Sequence, residues 1–130
     1  LKGGKTVRHM LIIHGRLDNL NQYIRALDAN RHEGAELKKK NQNKVLCEIY
    51  EQLGCLRIRN PVRMRYRWYE KDRRRDRDNI SSFGRKVIQD ALVQANILQN
   101  DGWNEIIEFS DEFYVDKKNP RIEVEIEEVT

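Results

Sequence analysis

Asp76 and Asp78 stand two residues apart in the charged stretch KDRRRDRD, residues 71–78. In extended chain, alternation turns both carboxylates to one side. Two carboxylates sharing a site repel unless a cation sits between them. Hard divalent ions such as Mg²⁺ or Mn²⁺ take oxygen ligands of this kind. Arg73, Arg74, Arg75 and Arg77 flank the pair, and guanidinium forks suit phosphate. A plainer reading lets the acids only neutralise the arginines. A bare D-x-D is also seen where sugar nucleotides bind. Lys86 and Asp90 are four residues apart and share a helix face, as a surface salt bridge or with the lysine held near a phosphate. Asp101 follows in an Asn-Asp-Gly turn. Phosphodiester hydrolysis needs an activated water, a polarised phosphate and a stabilised leaving oxygen, which a carboxylate-held divalent ion can supply. A lysine nearby adds positive charge where negative charge develops. His9, His14 and His32 are not required, and His14, at a strand end, reads as a packed residue.

The elements that must position these groups follow from periodicity. Val7–His14 reads as a buried strand stopped by Gly15. Residues 17–27 suit a short helix. Residues 31–53 suit a longer one, with Leu46, Ile49, Tyr50 and Leu53 on one stripe and Lys38, Lys39, Lys40 and Lys44 making its early part basic. Residues 57–69 give the clearest strand: Ile58, Val62, Met64, Tyr66 and Trp68 fall on even positions, and Arg57, Arg59, Arg63, Arg65 and Arg67 on odd ones. Strict period two sends the first set to a core and the arginines to the other face, as a candidate nucleic-acid stripe. Pro61 suggests an edge or a bend. Residues 71–78 then form a loop, and Asp78 or Asn79 caps a helix whose apolar stripe runs from Ile80 to Ala95. Asn96 is its expected end. Residues 105–115 and 120–129 read as two strands joined as a hairpin through 116–119, with Glu123, Glu125 and Glu127 on a solvent face. The order β-α-β-α-β-β predicts a single α+β domain around a mixed sheet. Residues 1–6 read as a loose start and 7–130 as the domain. Gly4-Lys5-Thr6 ends like a phosphate loop, but the strand that motif requires before it is missing.

A chain of 130 residues and 15.6 kDa is one domain's worth. Its 38% hydrophobic content argues against disorder even with 35% charged residues. No long apolar run suits a membrane span, and no secretory leader pattern is seen. Cys47 and Cys55, about 12 Å apart if they share one helix, read as reduced thiols in a cytoplasmic protein. Charge is polarised: residues 1–100 carry 22 basic and 11 acidic side chains, whereas residues 101–130 carry 3 and 10. Such asymmetry suggests a basic face for a polyanion.

The segment RRRDRDN (73–79), then Lys86, then Asp90-Ala91-Leu92, then Asn100-Asp101, resembles the RusA-type Holliday junction resolvases over roughly residues 60–128. The segment GRLDNLNQYI with Asn21 matches more loosely. These are small, dimeric, metal-dependent nucleases of phages and prophages. The resemblance implies that Asp76, Asp78 and Asp101 bind Mg²⁺ or Mn²⁺ and that Lys86 assists at the scissile phosphate. Two departures stand out. The interval from Asp78 to Lys86 is longer than in the family's best-known member, with Ser81–Gly84 as an extra turn, and Asn100 stands where an acid often precedes the last aspartate. The implied partner is branched DNA, a four-way junction cut by a homodimer in recombination and repair, with no membrane involved. Lys38, Lys39, Lys40, Arg63, Arg65, Arg67, Arg73, Arg74, Arg75, Arg77 and Arg85 are the candidate DNA contacts. A non-catalytic junction-binding module is the alternative.

Overall fold

The computed structural model describes residues 6–130, so the Gly4-Lys5-Thr6 stretch lies largely outside the described residues. Seven elements follow in order: β1 (Val7–His14), α1 (Leu20–Ala29), α2 (Arg31–Gln52), β2 (Val62–Glu70), α3 (Arg77–Gln94), β3 (Ile106–Val115) and β4 (Arg121–Glu128). The strands form one mixed sheet in the order β1-β4-β2-β3, with β2 and β3 parallel and the other pairs antiparallel. The α+β class and mixed sheet are as the sequence predicts. The core lies between the helices and one sheet face, where Leu11, Ile13, Met64, Tyr66, Trp68, Val124 and Ile126 meet Ile49, Val87, Ile88 and Leu92.

Several boundaries differ from the sequence expectation, each for a local reason. The first helix starts at Leu20 rather than 17, because Asn19 and Gln22 form a reciprocal capping box. Asn30 ends α1 and caps α2 by accepting from the Glu33 amide. Tyr50, expected in the α2 stripe, is 57% exposed. The strand expected from residue 57 begins at Val62, after Pro61, which has no amide hydrogen for the ladder. Arg57 and Arg59 therefore leave the stripe. The third helix begins at Arg77, so Asp76 is its N-cap residue rather than Asp78 or Asn79, and Ser81–Gly84 continue it as ordinary, mostly buried helix. That helix ends at Gln94, and Asn96 takes a left-handed φ of 60° two residues on. Asparagine tolerates that conformation.

The expected β3–β4 hairpin does not form. β4 skips over β2 and inserts between β2 and β1, while the connection crosses the end of β2, where the Asp116 amide bonds the Glu70 carbonyl at 2.7 Å. Cross-strand charge accounts for the order. On the face away from the helices, Arg63, Arg65 and Arg67 oppose Glu127, Glu125 and Glu123 of β4 directly. On the other side of β2, Arg63 and Arg67 register with Glu108 and Glu112 of β3. Pairing β4 with β3 would instead set glutamates against glutamates, which is destabilising.

Two carboxylates outside the candidate site are expected to make the fold acid-sensitive. Burial pushes the Glu48 carboxyl up, but hydrogen bonds from the His14 amide and ring hold it below its ordinary value. A hydrogen bond from His9 does the same for Glu128. A carboxylate lowered in the folded state stabilises above its unfolded pKa, and that contribution disappears as pH falls through the folded value. The melting temperature is expected to drop as pH is taken from about 5 to about 3, and Glu128→Gln should flatten that drop. Thermal melts across this range check it, and an unchanged slope in the variant would refute the assignment.

Candidate active site

Asp76 and Asp78 sit at the start of α3, but not as an extended pair. Asp76 is extended, with φ −70° and ψ 146°, and Asp78 is already in the first helical turn. The positive end of the helix dipole favours acids there. Both residues are exposed. Asp76 makes no side-chain cap bond. Among the described residues, neither carboxylate has a hydrogen-bond or ion-pair partner. They are thus available hard oxygen donors on a stretch of chain that also carries Arg73, Arg74, Arg75 and Arg77. Beside Asp76 opens a cleft of about 560 Å³, lined by Glu70, Asp72, Arg73, Asp76, Arg77 and Tyr114 among others, with Asp78 outside its lining.

The arginines around this cleft divide into two kinds. Arg75 is fixed: its Nε and Nη2 donate to the two Glu70 oxygens at 2.9 and 3.0 Å, and its Nη1 donates to the Leu17 carbonyl at 2.9 Å. Arg73, Arg74 and Arg77 remain exposed, with Arg77 over the Phe113 ring at 5.8 Å. The β2 stripe is also largely engaged. Arg67 bonds Glu125 at 2.9 Å, Arg63 pairs with Glu108 and Glu127, and Arg65 lies 3.7 Å from Glu125. The stripe is therefore one half of a charge ladder. The glutamates of β4, read from sequence as a solvent face, are the other half.

Lys86 and Asp101 do meet. The lysine Nζ lies 3.1 Å from Asp90 and 3.8 Å from Asp101, and Asp90 also takes Lys38 at 3.1 Å. These acids raise the Lys86 pKa, the Asp90 hydrogen bond most of all. The ammonium is held protonated, which suits charge stabilisation and not proton abstraction. His14 is exposed and bonded to Glu48, not packed.

The first two aspartates and the third are not brought together. Lys86 lies eight residues beyond Asp78, about 12 Å along the helix axis, and it is the Lys86 turn that holds Asp101. Among the described residues, no group of three His, Cys, Asp or Glu side chains could hold a metal ion. Asp76 and Asp78 fit a hard divalent ion in donor type, whereas Asp101 is occupied by Lys86.

Two residues of this region escape sequence reasoning. Glu70 anchors the loop through Arg75. Asp111 of β3 accepts from the Trp68 indole at 2.9 Å and pairs with Arg85. The usable signal for Asp111 is Trp68 itself, since a buried indole N–H needs an acceptor.

A cleft that sets exposed arginines beside an unpartnered carboxylate, on an α+β sheet, suits an enzyme that hydrolyses nucleic acid, and the family comparison gives that class. The model for endodeoxyribonuclease RusA matches residues 21–127. The chain belongs to the RusA family of endodeoxyribonucleases. No curated protein sequence matches it. No helix among the described residues is long and apolar enough to cross a membrane.

Proposed function

We propose that this chain is a divalent-metal-dependent, structure-selective endonuclease that resolves four-way DNA junctions by paired nicks, in recombination and repair. The observation that carries the reading is the pair Asp76 and Asp78, exposed and without partners among the described residues, at the positive end of α3 inside a family match that spans most of the chain. Mg²⁺ or Mn²⁺ would be held by Asp76 and Asp78; Asp101, held at the Lys86 turn, would join them only if its loop moved as well as leaving Lys86. The bound ion supplies a polarised phosphate and an activated water. Lys86, protonated, places positive charge beside the scissile phosphate. Arg73, Arg74, Arg77, Lys39 and Lys40 carry backbone contacts, which position DNA without reading its sequence. Arg63, Arg65, Arg67, Arg75 and Lys38, each paired with a carboxylate, are further candidate contacts. Two opposed nicks suit a homodimer, working in the cytoplasm with Cys47 and Cys55 reduced.

The test is a synthetic four-way junction against a linear duplex of the same sequence. Wild type is expected to make paired nicks in the junction with Mg²⁺ or Mn²⁺, none with a chelator, and few in the duplex. Binding without nicking would favour a junction-binding module. Equal cutting of both DNAs would remove the structural selectivity.

A further inference from the structure

Trp68, Asp111 and Arg85 form a chain of contacts leading from the core to the flank of α3. It begins at Gly84, where a Cβ would lie 2.7 Å from two carbons of the Trp68 ring, so only glycine lets the helix approach the indole this closely. Trp68 is 1% exposed, and its Nε1–H donates to Oδ1 of Asp111 at 2.9 Å. The other carboxylate oxygen, Oδ2, takes Nη1 of Arg85. The Arg85 guanidinium also lies over the Phe109 ring at 4.6 Å. The group is thus held from two directions while its side chain stays 21% exposed. The next residue is Lys86, which carries Asp101. Two fixed cations therefore leave adjacent positions of one helical turn.

We propose that Asp111 is a positioning residue for DNA cleavage, acting through Arg85, whose open edge takes a DNA phosphate beside Lys86. The inference rests on the nuclease reading above. A partly buried ion pair contributes little to stability relative to apolar side chains. Phe109, 50% exposed on the edge strand, gains nothing for the core by lying under a cation. What the arrangement does provide is orientation. A guanidinium already fixed loses less freedom when it accepts a phosphate, and its planar fork requires a defined direction.

Asp111→Asn keeps an oxygen for the Trp68 indole and removes the charge that holds Arg85. Single-turnover nicking at saturating protein is expected to fall by up to about 100-fold, the scale of a contact group misplaced by an ångström. Junction Kd should change far less than the nicking rate, because the cation remains and Arg85 is one backbone contact among several. Arg85→Lys should give the same loss, and the double variant should be no worse than either single. In a Trp103→Phe background, which removes the 96%-exposed tryptophan, Trp68 emission should be unchanged by Asp111→Asn, because the indole keeps its acceptor. Should Asp111→Asn not fold, Asp111→Glu keeps the charge and displaces Arg85 by one methylene, with the same loss expected. Wild-type nicking in the Asp111 variant, or losses that multiply in the double, would overturn the inference and leave the nuclease reading intact. A wild-type protein that binds junctions and never nicks them would overturn both.

Discussion

Asp78→Asn is expected to lower junction nicking by roughly 100-fold or more, the scale seen when a group that stabilises developing charge is removed from an active site. The substitution replaces one carboxylate oxygen by an amide of nearly the same shape, so the first turn of α3 has no steric reason to change. Asp78 is exposed and supports no hydrogen bond through its side chain among the described residues, so stability should fall only by the small share that its charge gains from the helix dipole. Binding should persist or tighten, since removing a negative charge from an arginine-rich segment strengthens the field that attracts phosphate. Asp76→Asn should behave alike. Asp101→Asn also frees Lys86 from one of its two acids, so its effect should include a changed response to salt. Nicking rates and junction affinities measured side by side separate these cases. Full nicking by Asp78→Asn would remove the aspartate pair from the chemistry.

The strands and helices were legible because their apolar residues keep period: Met64, Tyr66 and Trp68 on β2, and Ile80, Val87, Ile88 and Ala91 on α3, are buried as alternation and helical spacing require. The family was legible from the order of acids, lysine and turn. Strand order was not, because periodicity says which face a residue occupies and nothing about which strand lies beside it. The acidic row of β4 explained β2's arginines only once the two were seen in register. The same limit applies to the arginine run. Arg74 and Arg75 are neighbours of identical type, yet one side chain is 87% exposed and the other 16%. The difference comes from Glu70 and the Leu17 carbonyl, which approach from distant parts of the chain.

Glu70→Ala should lower the melting temperature by roughly 10 °C, from a loss of about 3 kcal/mol. The Glu70 side chain is 8% exposed and takes Arg75 in a two-point contact, with Arg16 at 3.5 Å. Removing it strands one guanidinium that is 16% exposed and weakens the hold on a second. A buried cation without its partner is far more costly than a pair replaced as a unit. The double variant Glu70→Leu with Arg75→Met should therefore regain much of the lost stability. It should not regain nicking. The Glu70–Arg75 contact ties the end of β2 to the residue before Asp76, and Arg75 in turn ties that residue to Leu17, so an apolar pair restores packing without restoring the direction in which Asp76 leaves the loop. Thermal melts and single-turnover nicking on the same three proteins distinguish the two roles. Recovery of both in the double variant would mean that the ion pair serves the fold alone, and that the aspartate loop keeps its path without it.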